Sequence, residues 1–115
     1  MESTSFTIVL PVPCLNTVYR AFEKRVYKSA KAKLFDQYVK DTFKRATLMK
    51  GPLIAEIRFY IDRDCDIDSK LKVLLDSLEG VIYENDSQIE ELHVVKVRGV
   101  KADIKTTVKI SQLLF

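Results

Sequence analysis

The feature that most constrains this chain is a change of period between residues 53 and 78. Leu53, Ala55, Ile57, Phe59 and Ile61 alternate with Glu56, Arg58 and Tyr60, the period of a strand with one buried face. After the acidic stretch DRDCDID the period changes. Ile67, Leu71, Leu74, Leu75 and Leu78 recur at i, i+4, i+7, i+8 and i+11, the stripe of a helix lying on a sheet, with Gly80 as its expected stop. A strand that feeds such a helix requires a second layer to cover it, so all-helical and all-strand folds are excluded.

The remaining segments extend this unit. Residues 6–10 read as a first strand stopped by Pro11 and Pro13, and residues 11–29 as irregular. Ser29 is placed to N-cap a helix over residues 29–49, with Phe35, Val39, Phe43 and Ala46 on its apolar face and Gly51-Pro52 as its end. Residues 83–90 read as a polar loop, and residues 92–98 and 104–110 as two strands joined across Gly99. The expectation is a single small α+β domain over residues 1–115, of order β-α-β-α-β-β, with two helices packed on a mixed four-stranded sheet.

Composition removes whole classes of function. With 115 residues, 47% hydrophobic and 30% charged, the chain has the make-up of one folded domain. No apolar run approaches the roughly 18–20 residues that span a bilayer, and the first residues lack a charged leader and cleavage site. Cys14 and Cys65 are too few for a disulfide framework, so reduced thiols and a cytoplasmic protein are expected. The three glycines are widely separated, which excludes a glycine-rich phosphate loop.

Charge is segregated. Residues 20–50 carry ten basic and three acidic side chains, and residues 62–91 carry ten acidic and three basic ones. One surface thus suits a polyanion and another a cation, although two solvated faces of opposite sign would give the same count. The basic segment interleaves Tyr19, Phe22 and Tyr27 with Arg20, Lys24, Arg25 and Lys28, as a phosphate-tracking loop with rings for stacking would. A solvated loop whose rings return to the core reads equally well.

The acidic segment holds the candidate chemistry. Asp66 falls in the strand-to-helix turn, Asp68 in the first helical turn, and Lys72 four residues on along the same face. Two close carboxylates repel, and a hard divalent cation such as Mg²⁺ or Mn²⁺ relieves that repulsion. The simpler reading of so short a pattern is an acidic helix cap, with a Lys72–Asp76 surface ion pair beyond it. Asp86, in the loop after the helix, would complete a three-carboxylate set if the chain doubles back, or else merely form a turn. His93 reads as a sheet residue, and a zinc site from Cys14, Cys65 and His93 lacks ligand spacing.

Taken together, these segments resemble the RusA family of Holliday junction resolvases, which is common in bacteriophages and prophages. LPVPCLNTVYR is similar to that family's opening L-P-x-P-P-S-x-N-x-x-Y-R, with Asn16, Tyr19 and Arg20 in step. VYKSAKAKLFDQYV resembles its entry to the first helix. DIDSKLKVLLDSLEGVIYENDSQIEELHVVK, the most specific block, resembles D-x-D-N-x-x-K followed by G-[VIL]-[IVL]-x-x-D-D-x-Q-[IV].

The resemblance implies a Mg²⁺-dependent endodeoxyribonuclease, with Mn²⁺ able to substitute, that acts as a homodimer on four-way junctions in a bacterial cytoplasm. It implies Asp66, Asp68 and Asp86 as metal-binding catalytic carboxylates and Lys72 as the catalytic lysine. Asp76 matches a further acidic position of the helix. DNA contacts are expected from Asn16, Tyr19, Arg20, Lys24, Arg25, Lys28 and Lys31. A nuclease for branched or flap DNA, and a non-catalytic DNA-binding module, are the alternatives. Ser69 stands where the family has Asn, Asn85 replaces the first Asp of its D-D pair, and Cys14-Leu15 replaces P-S. Asp62 and Asp64 lie where some members are basic.

Overall fold

The structure, a computed structural model, describes residues 3–13, 19–22, 25–28, 30–61, 66–98 and 104–113. In chain order the elements are β1 (Ser3–Ile8), β2 (Tyr19–Phe22), β3 (Arg25–Lys28), α1 (Ala30–Thr42), β4 (Leu53–Ile61), α2 (Ile67–Leu78), a 3-10 turn (Asp86–Gln88), β5 (Ile89–Arg98) and β6 (Lys105–Gln112). The expected α+β order is present, with two helices and a mixed four-stranded sheet ordered β1-β6-β4-β5.

Two sequence expectations are corrected. The segment read as irregular contains a hairpin, β2 paired antiparallel with β3, Tyr19 opposite Lys28 and Phe22 opposite Arg25. Its aromatic and β-branched residues favour extended backbone, and the density of basic residues masked that preference. The first helix ends at Thr42, seven residues short of Met49. Phe43 turns to meet Phe6, ring centroids 4.6 Å apart, and Met49 is drawn into a bridge with Tyr83, its N–H donating to Ile82 O at 2.8 Å. These contacts outweigh continued helix, and Gly51, with φ of 72°, opens the turn into β4 instead.

The strand with the cleanest alternation lies inside the sheet. β4 pairs antiparallel with β6 and parallel with β5, burying Leu53, Ala55, Ile57, Phe59 and Ile61 while Glu56 and Arg58 stay exposed. Against that buried face α1 places Ala32, Phe35 and Val39, and α2 places Val73, Leu74 and Leu78. Burial of each large apolar side chain is worth about 1.5–3 kcal/mol, which makes this layer contact the main stabilising term. Where the helices meet, the Ser77 hydroxyl donates to Asp36 Oδ1 at 2.6 Å.

One topological fact positions the acidic residues. β4 and β5 run parallel, Leu53 beside Ile89 and Ile61 beside Arg98, so α2 must return the chain from one sheet end to the other. Asp66 therefore lies toward the C-terminal ends of these strands. Asp86 lies toward their N-terminal ends.

Candidate active site

Asp66 is the N-cap residue of α2, with extended φ and ψ of −61° and 136°. Its backbone carbonyl accepts from Ser69 N (3.1 Å) and Lys70 N (3.2 Å), but its side chain makes no capping hydrogen bond. A carboxylate-capped helix is thus not what holds this residue. Asp68, exposed in the first turn, gains from the positive end of the helix dipole. Lys70, from the opposite side of that turn, donates to Val12 O at 2.6 Å and so ties the segment after β1 to the helix start.

Lys72 occupies the same face as Asp68 and Asp76. Its Nζ lies 3.3 Å from Asp76 Oδ1, an i,i+4 pair with both side chains exposed. The hydrogen bond to Asp76 raises the lysine above its ordinary value, and the charges of Asp76, Asp86 and Glu79 add to that. This pairing favours the charged ammonium form of Lys72.

The carboxylates that meet are Asp76, Glu79 and Asp86, one oxygen of each lying within 4.8 Å of the others. Asp76 comes from the last turn of α2, and Glu79 is the C-cap residue that follows it. Asp86 is brought to them by the loop that follows. Gly80, at φ of 79°, reverses the chain, and its N–H donates to Tyr83 O at 2.7 Å. Tyr83 is fully buried, and its hydroxyl donates to Leu75 O at 2.6 Å. Burial holds this phenol far above its ordinary pKa, so it remains a neutral donor. Asp86 N then donates to Glu79 Oε1 at 3.3 Å.

The substituted residue Asn85 has a defined part here. It caps the 3-10 turn, its Oδ1 accepting from Ser87 N at 2.9 Å, and Gln88 completes a capping box. An aspartate offers the same acceptor oxygen, so the exchange keeps the cap and removes one negative charge from the cluster's edge.

Asp66 and Asp68 belong to no three-carboxylate group among the described residues. Along the axis Asp68 stands about 12 Å from Asp76, at 1.5 Å per residue. Asp86 thus joins the acidic set at the far end of the helix from Asp66 and Asp68. Lys31 is exposed on α1. Tyr19, Arg20, Arg25 and Lys28 lie on the β2–β3 hairpin, while Asn16, Lys24, Cys14 and Cys65 lie outside the described residues. His93 is an exposed residue of β5, as the sequence suggests.

The donors of the trio are all carboxylate oxygens, the set that hard Mg²⁺ or Mn²⁺ prefers and zinc does not. Three negative charges against one lysine leave a net of −2, which a divalent ion would balance. Glu79 was not singled out by sequence, because a glutamate before a helix-ending glycine has no signature of its own.

Clustered carboxylates with an ammonium beside them are the groups that metal-assisted phosphodiester cleavage uses. Residues 9–111 match the family described as endodeoxyribonuclease RusA, and the chain belongs to that family of nucleases. No curated protein matches it.

Proposed function

We propose that the protein is a divalent-metal-dependent endodeoxyribonuclease that resolves four-way DNA junctions by paired symmetric nicks, working as a homodimer. The observation that carries this reading is the charge arrangement around α2, in a chain whose family is defined by DNA cleavage. Carboxylates gathered beside bound DNA repel it, so they are tolerable there only with a cation.

Asp66, Asp68 and Asp86 are the proposed metal ligands, with Asp76 and Glu79 beside Asp86. A bound Mg²⁺ or Mn²⁺ would supply Lewis acidity, lowering the pKa of water and offsetting negative charge on the phosphate. Lys72, whose charged form Asp76 favours, adds a positive charge where the phosphate becomes more negative. Asn16, Tyr19, Arg20, Lys24, Arg25, Lys28 and Lys31 are assigned to the junction's backbone, where contacts position the arms without reading bases.

Two considerations support a dimer. Symmetric nicks on opposed strands need two sites related by a two-fold axis. In addition, Asp86 lies past the opposite end of α2 from Asp66 and Asp68, a separation that favours a set shared between two copies.

The test is cleavage of an end-labelled synthetic four-way junction in Mg²⁺, beside linear duplex and flap controls. Paired symmetric nicks confined to the junction and lost in EDTA are expected. Preferred cutting of the flap would reassign the substrate. Binding without cleavage in Mg²⁺ and Mn²⁺ would leave a DNA-binding module.

A further inference from the structure

Gln88 is the most fully bonded side chain near the acidic cluster. Its Oε1 accepts from the backbone N–H groups of Glu84 and Asn85, both at 2.9 Å. Its Nε2 donates to Met49 O at 3.1 Å and to Gly51 O at 3.0 Å. A primary amide has two acceptor lone pairs and two donor hydrogens, and all four are used here.

The two halves of the amide do different things. The oxygen closes the turn that carries Asp86, between Asn85 and Gln88. The nitrogen fastens that turn to residues 49–51, a segment whose carbonyls are all engaged. Lys50 O accepts from Gln112 Nε2 at 3.3 Å and Pro52 O from Leu113 N at 2.9 Å. Gly51, with its positive φ, helps present this row. Besides running directly into β5, the Asp86 turn is therefore tied to residues 49–51 by the Gln88 amide, with the Lys50–Glu84 ion pair at 3.9 Å beside it. The helix end that carries Asp76 and Glu79 is anchored separately, through Tyr83 and the α2 core.

We infer that Gln88 is a positioning residue of the nuclease site, acting through Asp86: it holds that carboxylate at the distance from its companions that cation binding needs. The inference rests on the metal-nuclease reading above, and holds whether Asp86 shares a cation with Asp76 and Glu79 or with carboxylates of a second copy. Only an amide fulfils the role. A glutamate keeps the acceptor but sets a charge against the carbonyls of Met49 and Gly51, and a leucine loses all four bonds.

Gln88→Glu and Gln88→Leu test this, with Gln112→Leu as control, because it releases the adjacent Lys50 O without touching the Asp86 turn. The readouts are Mn²⁺ affinity by electron paramagnetic resonance without DNA, the Mg²⁺ concentration for half-maximal junction cleavage, and thermal melting. Both Gln88 variants should weaken Mn²⁺ binding by about 10-fold to 100-fold, the range for residues that orient metal ligands. Excess Mg²⁺ should restore much of the cleavage rate, with the KM for junction unchanged. Gln112→Leu should lower the melting temperature without moving Mn²⁺ affinity. Wild-type Mn²⁺ affinity in the Gln88 variants, or an equal loss in Gln112→Leu, overturns the inference while leaving the nuclease reading intact. Failure of the unmodified protein to bind Mn²⁺ and to cleave in Mg²⁺ overturns both.

Discussion

Lys72 Nζ stands 3.3 Å from Asp76 Oδ1, and this pair determines what the lysine can do in catalysis. Its pKa is raised by the Asp76 hydrogen bond and by three carboxylate charges, so it stays protonated through neutral pH. The sign follows from linkage: the pairing is complete below the lysine's ordinary value of 10.5 and is lost only as pH rises through the raised one. The role assigned to Lys72 is therefore charge stabilisation. Lys72→Ala should lower the cleavage rate far more than junction affinity, and Lys72→Arg should recover part of it. Equal loss of rate and affinity, measured by single-turnover cleavage and fluorescence anisotropy, would reduce Lys72 to a phosphate contact.

Asp68 and Asp86 occupy opposite ends of α2, and that separation yields a complementation test. Asp68→Asn should abolish cleavage while junction binding survives, because the basic surface is untouched. Asp86→Asn should do the same. If the carboxylate set closes between two copies, mixing the two inactive variants leaves one intact site per heterodimer and restores nicking of a single strand. A set that closes within one chain leaves every site broken and the mixture inactive.

Tyr83 links the core to the acidic cluster through its bond to Leu75 O. Tyr83→Phe removes one of two donors to Leu75 O, which keeps the bond from Glu79 N, and should cost about 0.5–1.5 kcal/mol at neutral pH. The native phenol is held neutral by burial, whereas the unfolded one ionises near its ordinary value of 10.0. Stability from this group is thus complete below that pH and declines as pH rises above it. The Phe variant should lack this alkaline decline, which urea titrations on either side of that pH will measure.

How much of this was legible in sequence depends on the range of the forces involved. β4 was read to its ends and α2 nearly so, because their periods of 2 and 3.6 are fixed by their own buried faces. The end of α1 was not, because Phe6 and Tyr83, remote in sequence, redirect Phe43 and Met49. The β2–β3 hairpin was hidden by its basic residues. Asp86 was legible as a candidate and Asp76 as an acidic position, but Glu79 was not, because the meeting of the three depends on the Gly80 reversal and the fold of the loop after α2. Asn85 read as a lost carboxylate, yet the turn uses its oxygen as an acceptor.

Glu79 provides the means to locate the cation. Its Oε1 accepts from Asp86 N, and a glutamine keeps that acceptor while removing one of three mutually repelling charges. At these separations each like-charge pair costs about 1 kcal/mol in water, so without metal Glu79→Gln should be at least as stable as the native protein. A bound ion adds RT ln(1 + [ion]/Kd) to stability, through whichever carboxylates hold it. Melting curves in EDTA and in excess Mg²⁺ therefore separate two placements. If Asp76, Glu79 and Asp86 hold the ion, the native protein should gain more on adding Mg²⁺ than the variant does. An equal gain would place the ion elsewhere, with Asp66 and Asp68 as the ligands left to test.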